Sequence, residues 1–188
     1  MPGKTTVALT DEQYETIIFE MKKGSSFFRP NERIATALIL EANLGIRIED
    51  ILTLRLCDIV SDGGKYRLHI TEKKTSKTRR FTVPEEIFIY IKNYCLKNKI
   101  DKNETIFPIG ERAVQKYLKK VCDYLGYENI STHSFRKYSG MNLYNNNGHD
   151  IYLVKEFYQH SSVTTTQRYL SITPSKLEEA IKHNVRLP

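Results

Sequence analysis

The hydrophobic period of this chain changes twice, and that alternation limits the available folds more than any other feature. Near the N-terminus apolar residues recur at helical spacing, as Ile17, Ile18 and Met21 and then Ile34, Leu38 and Ala42. Between Tyr66 and Val83 the period drops to two. Tyr66, Leu68 and Ile70 alternate with Arg67 and His69, and Phe81 alternates with Val83. Asp62-Gly63-Gly64 supplies a turn before these residues and Lys73-Lys74-Thr75-Ser76-Lys77 a loop between them. From Pro84 the helical period returns. The pattern predicts an α+β, mainly helical fold with a small antiparallel sheet of about three strands on one side.

Local signals place the helices. Thr10 and Gln13 have the spacing of a capping box, which starts a helix running to about Gly24. A second helix is predicted over 31–43, with Gly45 as its stop, and a third, very apolar one over 48–56. Further helices are predicted over 84–98, 111–125 (ended by Gly126), 133–144, 150–158, 163–170 and 175–183. Asn145-Asn146-Asn147-Gly148 reads as a turn. No repeat or low-complexity linker interrupts the 188 residues, a length suited to one well-buried core.

The formal net charge of +7 favours a polyanionic partner, and its placement is more telling than its size. From Lys65 to Arg80 there are seven Lys or Arg against the single acid Glu72, whereas from Met1 to Pro30 four basic residues meet four acids. The excess is local, as a phosphate-contacting element requires. Cys57, Cys95 and Cys122 have no CxxC spacing, so buried thiols in a reducing compartment are expected rather than a disulfide or zinc scaffold. No apolar run reaches membrane-spanning length and no signal peptide is evident, so a soluble cytoplasmic protein is expected.

Residues with chemical potential converge near the C-terminus. Thr132-His133-Ser134-Phe135-Arg136 is followed by Gln159-His160-Ser161-Ser162 and by Thr166-Gln167-Arg168-Tyr169-Leu170. His133 and Arg136, three apart, share a helix face whose N-terminal end favours a phosphate. Arg47 follows Gly45 at a helix junction, with Asp50 one turn away as an expected ion-pair partner. Lys74 sits in the basic loop beside Lys73 and Lys77. Together these residues suit metal-independent attack on a phosphodiester. A phenol can serve as nucleophile, guanidinium forks bind two phosphate oxygens at once, and a lysine can protonate the leaving oxygen. A metal nuclease would need clustered carboxylates, which the chain lacks.

These motifs resemble those of the tyrosine recombinase, or phage integrase, family, in its catalytic domain, from about Leu9 to Leu170. Gly45-Ile46-Arg47-Ile48-Glu49-Asp50 resembles the family's first box, and Lys74 its lysine between two strands. His133 and Arg136 match its His-x-x-Arg, His160 its second histidine and Tyr169 its nucleophile. One departure is Gln159, where the family commonly has glycine before the second histidine.

The resemblance implies a site-specific recombinase or integrase that uses no cofactor. Tyr169 attacks DNA to give a 3′-phosphotyrosyl link, serving integration or excision of a mobile element. Arg47, Arg136 and His160 would hold the phosphate, Lys74 would act as general acid, and His133 would assist deprotonation of Tyr169. Lys73, Lys77, Arg79 and Arg80 are expected as further DNA contacts. The expected partners are double-stranded DNA and three further copies in a tetramer, the free chain being a monomer. An accessory DNA-bending protein is a candidate partner. Residues 1–170 form the expected catalytic domain and 171–188 a tail helix that neighbouring protomers could exchange. The family's N-terminal DNA-gripping domain is not evident before Thr10, so the expectation is a fragment of a longer protein, with a naturally short member as the alternative. Competing expectations are type IB topoisomerase-like relaxation and a catalytically silent DNA-binding regulator on the same fold.

Overall fold

The computed structural model describes residues 6–170, and the tail helix expected over 175–183 lies outside them. The chain forms two compact units, divided between Ser139 and Gly140. The first begins with α1 (Asp11–Lys23), where the Thr10 side chain accepts the Gln13 N–H and the Gln13 side chain accepts the Thr10 N–H, both at 3.1 Å. This is the expected capping box, and it satisfies two amides that the first helical turn leaves without partners. Next come α2 (Glu32–Leu44) and α3 (Ile48–Ile51), then β1 (Ile59–Asp62), β2 (Lys65–Thr71) and β3 (Thr78–Val83). They are followed by α4 (Glu85–Lys97), α5 (Glu111–Leu125) and α6 (Thr132–Asn146), within which the division falls.

The helix α3 is much shorter than the predicted 48–56. The Thr53 hydroxyl donates to the Asp50 carbonyl, and beyond it the Leu54 carbonyl accepts the Ile106 N–H at 2.9 Å. Arg55 then forms an isolated antiparallel bridge with Thr105. A distant segment thus draws the apolar run out of helix, a tertiary effect that local periodicity does not report.

The sheet is antiparallel in the order β1-β2-β3, with Leu68 opposite both Ile59 and Phe81. One face is buried through Ile59, Leu68 and Val83. Tyr66 stacks on Phe88 at 3.8 Å between ring centroids, seating α4 against β2. The core of the unit gathers Ile17 and Met21 from α1, Leu38 and Leu44 from α2, Val114 and Leu118 from α5 and Phe135 from α6. Tyr14 stacks on Tyr138 at 4.9 Å, and the Tyr138 hydroxyl donates to Asp11 at 2.7 Å, joining α6 to the start of α1. All three cysteines are free thiols; Cys95 and Cys122 are buried, and Cys57 is half-buried.

The second unit holds the end of α6, α7 (Ile151–Tyr158) and α8 (Val163–Tyr169) around Val154, Tyr158 and Leu170. Here α6 runs to Asn146, two residues beyond the predicted end, and the chain reverses through Asn147, Gly148 and His149. Asp150 caps α7 by accepting the Tyr152 and Leu153 N–H groups, and Ser162 caps α8 by accepting that of Thr165. Among the described residues no helix is long and apolar enough to cross a membrane.

Gly24 ends α1 at φ 78°, ψ 175°, and a Cβ placed there would lie 2.6 Å from Pro30 Cδ and 2.8 Å from its backbone nitrogen. Both the backbone conformation and the space demand glycine. Gly24→Ala should destabilise the fold by about 2–4 kcal/mol, measured by denaturant unfolding.

Candidate active site

The first arginine is placed by a helix stop. Gly45 takes the left-handed conformation (φ 59°) and donates its N–H to the Glu41 carbonyl, ending α2. Ile46 is fully buried and pins the corner, and Arg47 follows in extended conformation as the residue preceding α3. The guanidinium does not pair with Asp50, as its spacing suggested. Its Nη1 donates to Glu72 Oε2 at 2.6 Å, a carboxylate 25 residues away. Asp50 instead accepts the Lys73 backbone N–H at 2.9 Å through Oδ1, and burial raises its pKa. It therefore anchors the basic loop rather than orienting Arg47.

Glu72 is the single acid in the basic stretch, and it is buried at 3% exposure. Besides Arg47 it receives the Thr75 hydroxyl at 2.7 Å and Arg79 Nη1 at 3.3 Å. Burial alone would raise its pKa. Hydrogen bonds from Thr75 and Arg47, with the charges of Arg47 and Arg79, outweigh that and hold it below the usual carboxylate value.

Arg79 is not available as a DNA contact. It is 2% exposed, pairs with Glu72, donates to the Gly45 carbonyl at 3.4 Å, and lies 4.9 Å from the Phe81 ring. Along β3 it shares the buried side with Val83. Lys73, Lys74, Lys77 and Arg80 are exposed.

Arg136 and His133 enter from the first turns of α6. Phe135, fully buried between them in sequence, fixes the helix against the core. Arg136 is buried at 2% exposure, and its charge acts on Glu41, a fully buried carboxylate of α2. Burial drives the Glu41 pKa well up, opposed first by Arg136 and then by the Ile48 N–H that Glu41 Oε1 accepts at 3.1 Å. Glu41 thus binds the residue after Arg47 while lying within the field of Arg136. The sequence pattern alone singled out neither Glu41 nor Glu72 as part of the site.

His133 remains partly open to solvent, yet its pKa is lowered to about 4. Partial loss of hydration comes first, followed by the positive charges of Arg136, Arg47, Lys74 and Lys137. These four cations and His133 therefore share one electrostatic neighbourhood within the first unit. At neutral pH the imidazole is uncharged and able to accept a proton. Lys137, which the motifs also passed over, faces elsewhere: its Nζ donates to the Thr6 carbonyl at 2.7 Å and ties the N-terminal segment to α6.

His160 and Tyr169 belong to the second unit, where they are neighbours. Their rings lie edge to face at 5.3 Å, and Tyr158 lies 5.5 Å from His160 and 4.9 Å from Tyr169. His160 Nδ1 pairs with the Thr166 hydroxyl at 3.0 Å, which orients the imidazole ring. Gly140 provides the clearance: a Cβ there would come within 3.0 Å of both the Tyr158 and Tyr169 rings. Gln159, which directs the chain from α7 into His160, takes the left-handed conformation at φ 52°. Among the described residues no three His, Cys, Asp or Glu side chains are grouped as a metal site would require.

The sequence pattern of the phage integrase family matches residues 8–176. The chain belongs to this family, and its fold is that of a tyrosine recombinase catalytic domain. It is 31% identical over 159 residues to the probable integrase/recombinase YoeC of Bacillus subtilis strain 168, covering 81% of this chain and 84% of that one. It is 25% identical over 191 residues to the tyrosine recombinase XerA of Pyrococcus furiosus, covering 97% of this chain but only 63% of the relative. Among solved structures, the catalytic domain of bacteriophage HP1 integrase superposes with a TM-score of 0.63 at 21% identity, covering 95% of each chain. The XerH recombinase in its post-cleavage complex with difH substrate gives 0.68 at 20% identity, covering 93% of this chain and 52% of that one.

Two measurements check this local chemistry. An NMR titration should place the His133 midpoint near 4, whereas a midpoint near 6.5 would show that neither lost hydration nor the neighbouring cations shift it. The unfolded chain takes up this proton near 6.5, so the associated stability is present above that pH and is lost as pH falls toward 4. Gln159→Gly should raise stability by about 0.5–1 kcal/mol in thermal unfolding. It removes a left-handed side-chain penalty that exceeds the added backbone entropy of glycine.

Proposed function

We propose that this chain is the catalytic part of a site-specific DNA recombinase that breaks and rejoins strands through Tyr169. The supporting observation is that Arg47, Lys74, His133, Arg136, His160 and Tyr169 all fall, in family order, inside the matched span 8–176. The local settings agree with the roles. Arg47 and Arg136 are held by buried surroundings and suit the non-bridging phosphate oxygens. His160, oriented through Thr166, donates to the same phosphate.

In the proposed step the Tyr169 oxygen forms a bond to phosphorus as the bond from phosphorus to the 5′-oxygen breaks. The tyrosine proton passes to neutral His133, and Lys74 protonates the departing 5′-oxygen. The products are a 3′-phosphotyrosyl link and a free 5′-hydroxyl. Attack by another strand's 5′-hydroxyl reverses these transfers, so the bond energy is conserved in the covalent link and neither nucleotide nor metal is consumed. Double-stranded DNA is the substrate, Lys73, Lys77 and Arg80 contact its backbone, and four copies assemble to exchange strands of a mobile element. An accessory DNA-bending protein is a further candidate partner.

The test is a nicked duplex carrying the sequence that flanks this chain's own gene. The unsubstituted protein should form an SDS-resistant adduct with it. Tyr169→Phe should abolish the adduct and leave DNA binding within about twofold. An undiminished adduct from Tyr169→Phe would assign the nucleophile elsewhere.

A further inference from the structure

The proposed reaction uses Arg47 and Lys74 but gives no role to Glu72, the carboxylate between them. Glu72 directly follows β2, and its backbone closes the basic turn: its N–H donates to the Lys77 carbonyl and its carbonyl accepts the Ser76 N–H. Its side chain returns beneath that turn. Oε2 takes both Arg47 Nη1 at 2.6 Å and the hydroxyl of Thr75, the residue next to Lys74, at 2.7 Å. Arg79 holds the other oxygen at 3.3 Å, so both carboxylate oxygens are engaged. A second tie reaches the turn from α3, where Asp50 accepts the Lys73 N–H.

We infer that Glu72 is a positioning residue that sets the Arg47 guanidinium and the Lys74-bearing turn against each other. This rests on the recombinase reading above. Lys74 is exposed on a turn, and an exposed lysine side chain has many rotamers to lose before it meets a leaving oxygen. Fastening the neighbouring Thr75 to the atom that binds Arg47 narrows the turn's freedom and refers it to the phosphate clamp. Simple neutralisation of Arg79 would require only one carboxylate oxygen. The shared use of Oε2 by Arg47 and Thr75 is what points to coupling.

Two substitutions separate coupling from mere support. Thr75→Val removes the tether to the turn while leaving all three charges. Glu72→Gln weakens the hold on Arg47 as well. Adduct formation is followed on the same nicked duplex with either an oxygen or a sulfur atom bridging to the 5′-carbon, since a thiolate leaves without a proton. Thr75→Val should slow cleavage about tenfold with oxygen and recover to within about twofold with sulfur. Glu72→Gln should lose about a hundredfold with oxygen and still about tenfold with sulfur, because Arg47 is displaced too.

Should Glu72→Gln fail to fold, Thr75→Val decides alone. An unchanged rate for Thr75→Val on oxygen, or an equal loss on both substrates, would overturn the inference. Full recovery of a folded Glu72→Gln protein on sulfur would also overturn it, by confining Glu72 to the turn. Failure of the unsubstituted protein to form any adduct would instead overturn the recombinase reading, and this inference with it.

Discussion

The first unit is organised around a buried negative charge that cannot stand alone. Moving a carboxylate out of water costs several kcal/mol unless cations and donors surround it. Glu72 meets that demand with Arg47, Arg79 and the Thr75 hydroxyl. The demand works in both directions, because Arg79 is equally buried and Arg47 largely so. The helix corner at Gly45, the end of β2 and the start of β3 are therefore joined by one ionic cluster. Asp50 adds a second tie from α3 to the same turn.

The second unit uses shape rather than charge. Three rings, those of Tyr158, His160 and Tyr169, pack against one another where Gly140 leaves room. The hydrogen bond between His160 Nδ1 and the Thr166 hydroxyl then fixes the imidazole. A left-handed Gln159 turns the chain between α7 and His160, and there the family's usual glycine would sit without strain. That departure is conformational and leaves the imidazole itself unaltered.

Elements governed by neighbours along the chain are legible in the amino-acid pattern. The Thr10–Gln13 capping box, both ends of α5, the Gly45 stop and the strands around the basic loop all form where that pattern puts them. Partners distant along the chain are not legible in this way. The i, i+3 rule offers Asp50 to Arg47, whereas the fold supplies Glu72 through the return of β2. The end of α3 falls earlier than its apolar run implies because the Leu54 carbonyl pairs with Ile106, more than fifty residues on. Arg79 is different, because its signal is present: it has the same parity as Phe81 and Val83 in an alternating strand. Counting it by charge obscures its direction.

That inward direction changes how the basic hairpin meets a polyanion. Of the seven cations from Lys65 to Arg80, Arg79 is turned inward onto Glu72, and the other six stand at exposed or half-exposed positions. Binding of a charged polymer is driven by the small ions it sheds, roughly one for each phosphate neutralised. The hairpin therefore displaces at most six such ions rather than seven, and its grip weakens with ionic strength less steeply than the sequence's charge total implies.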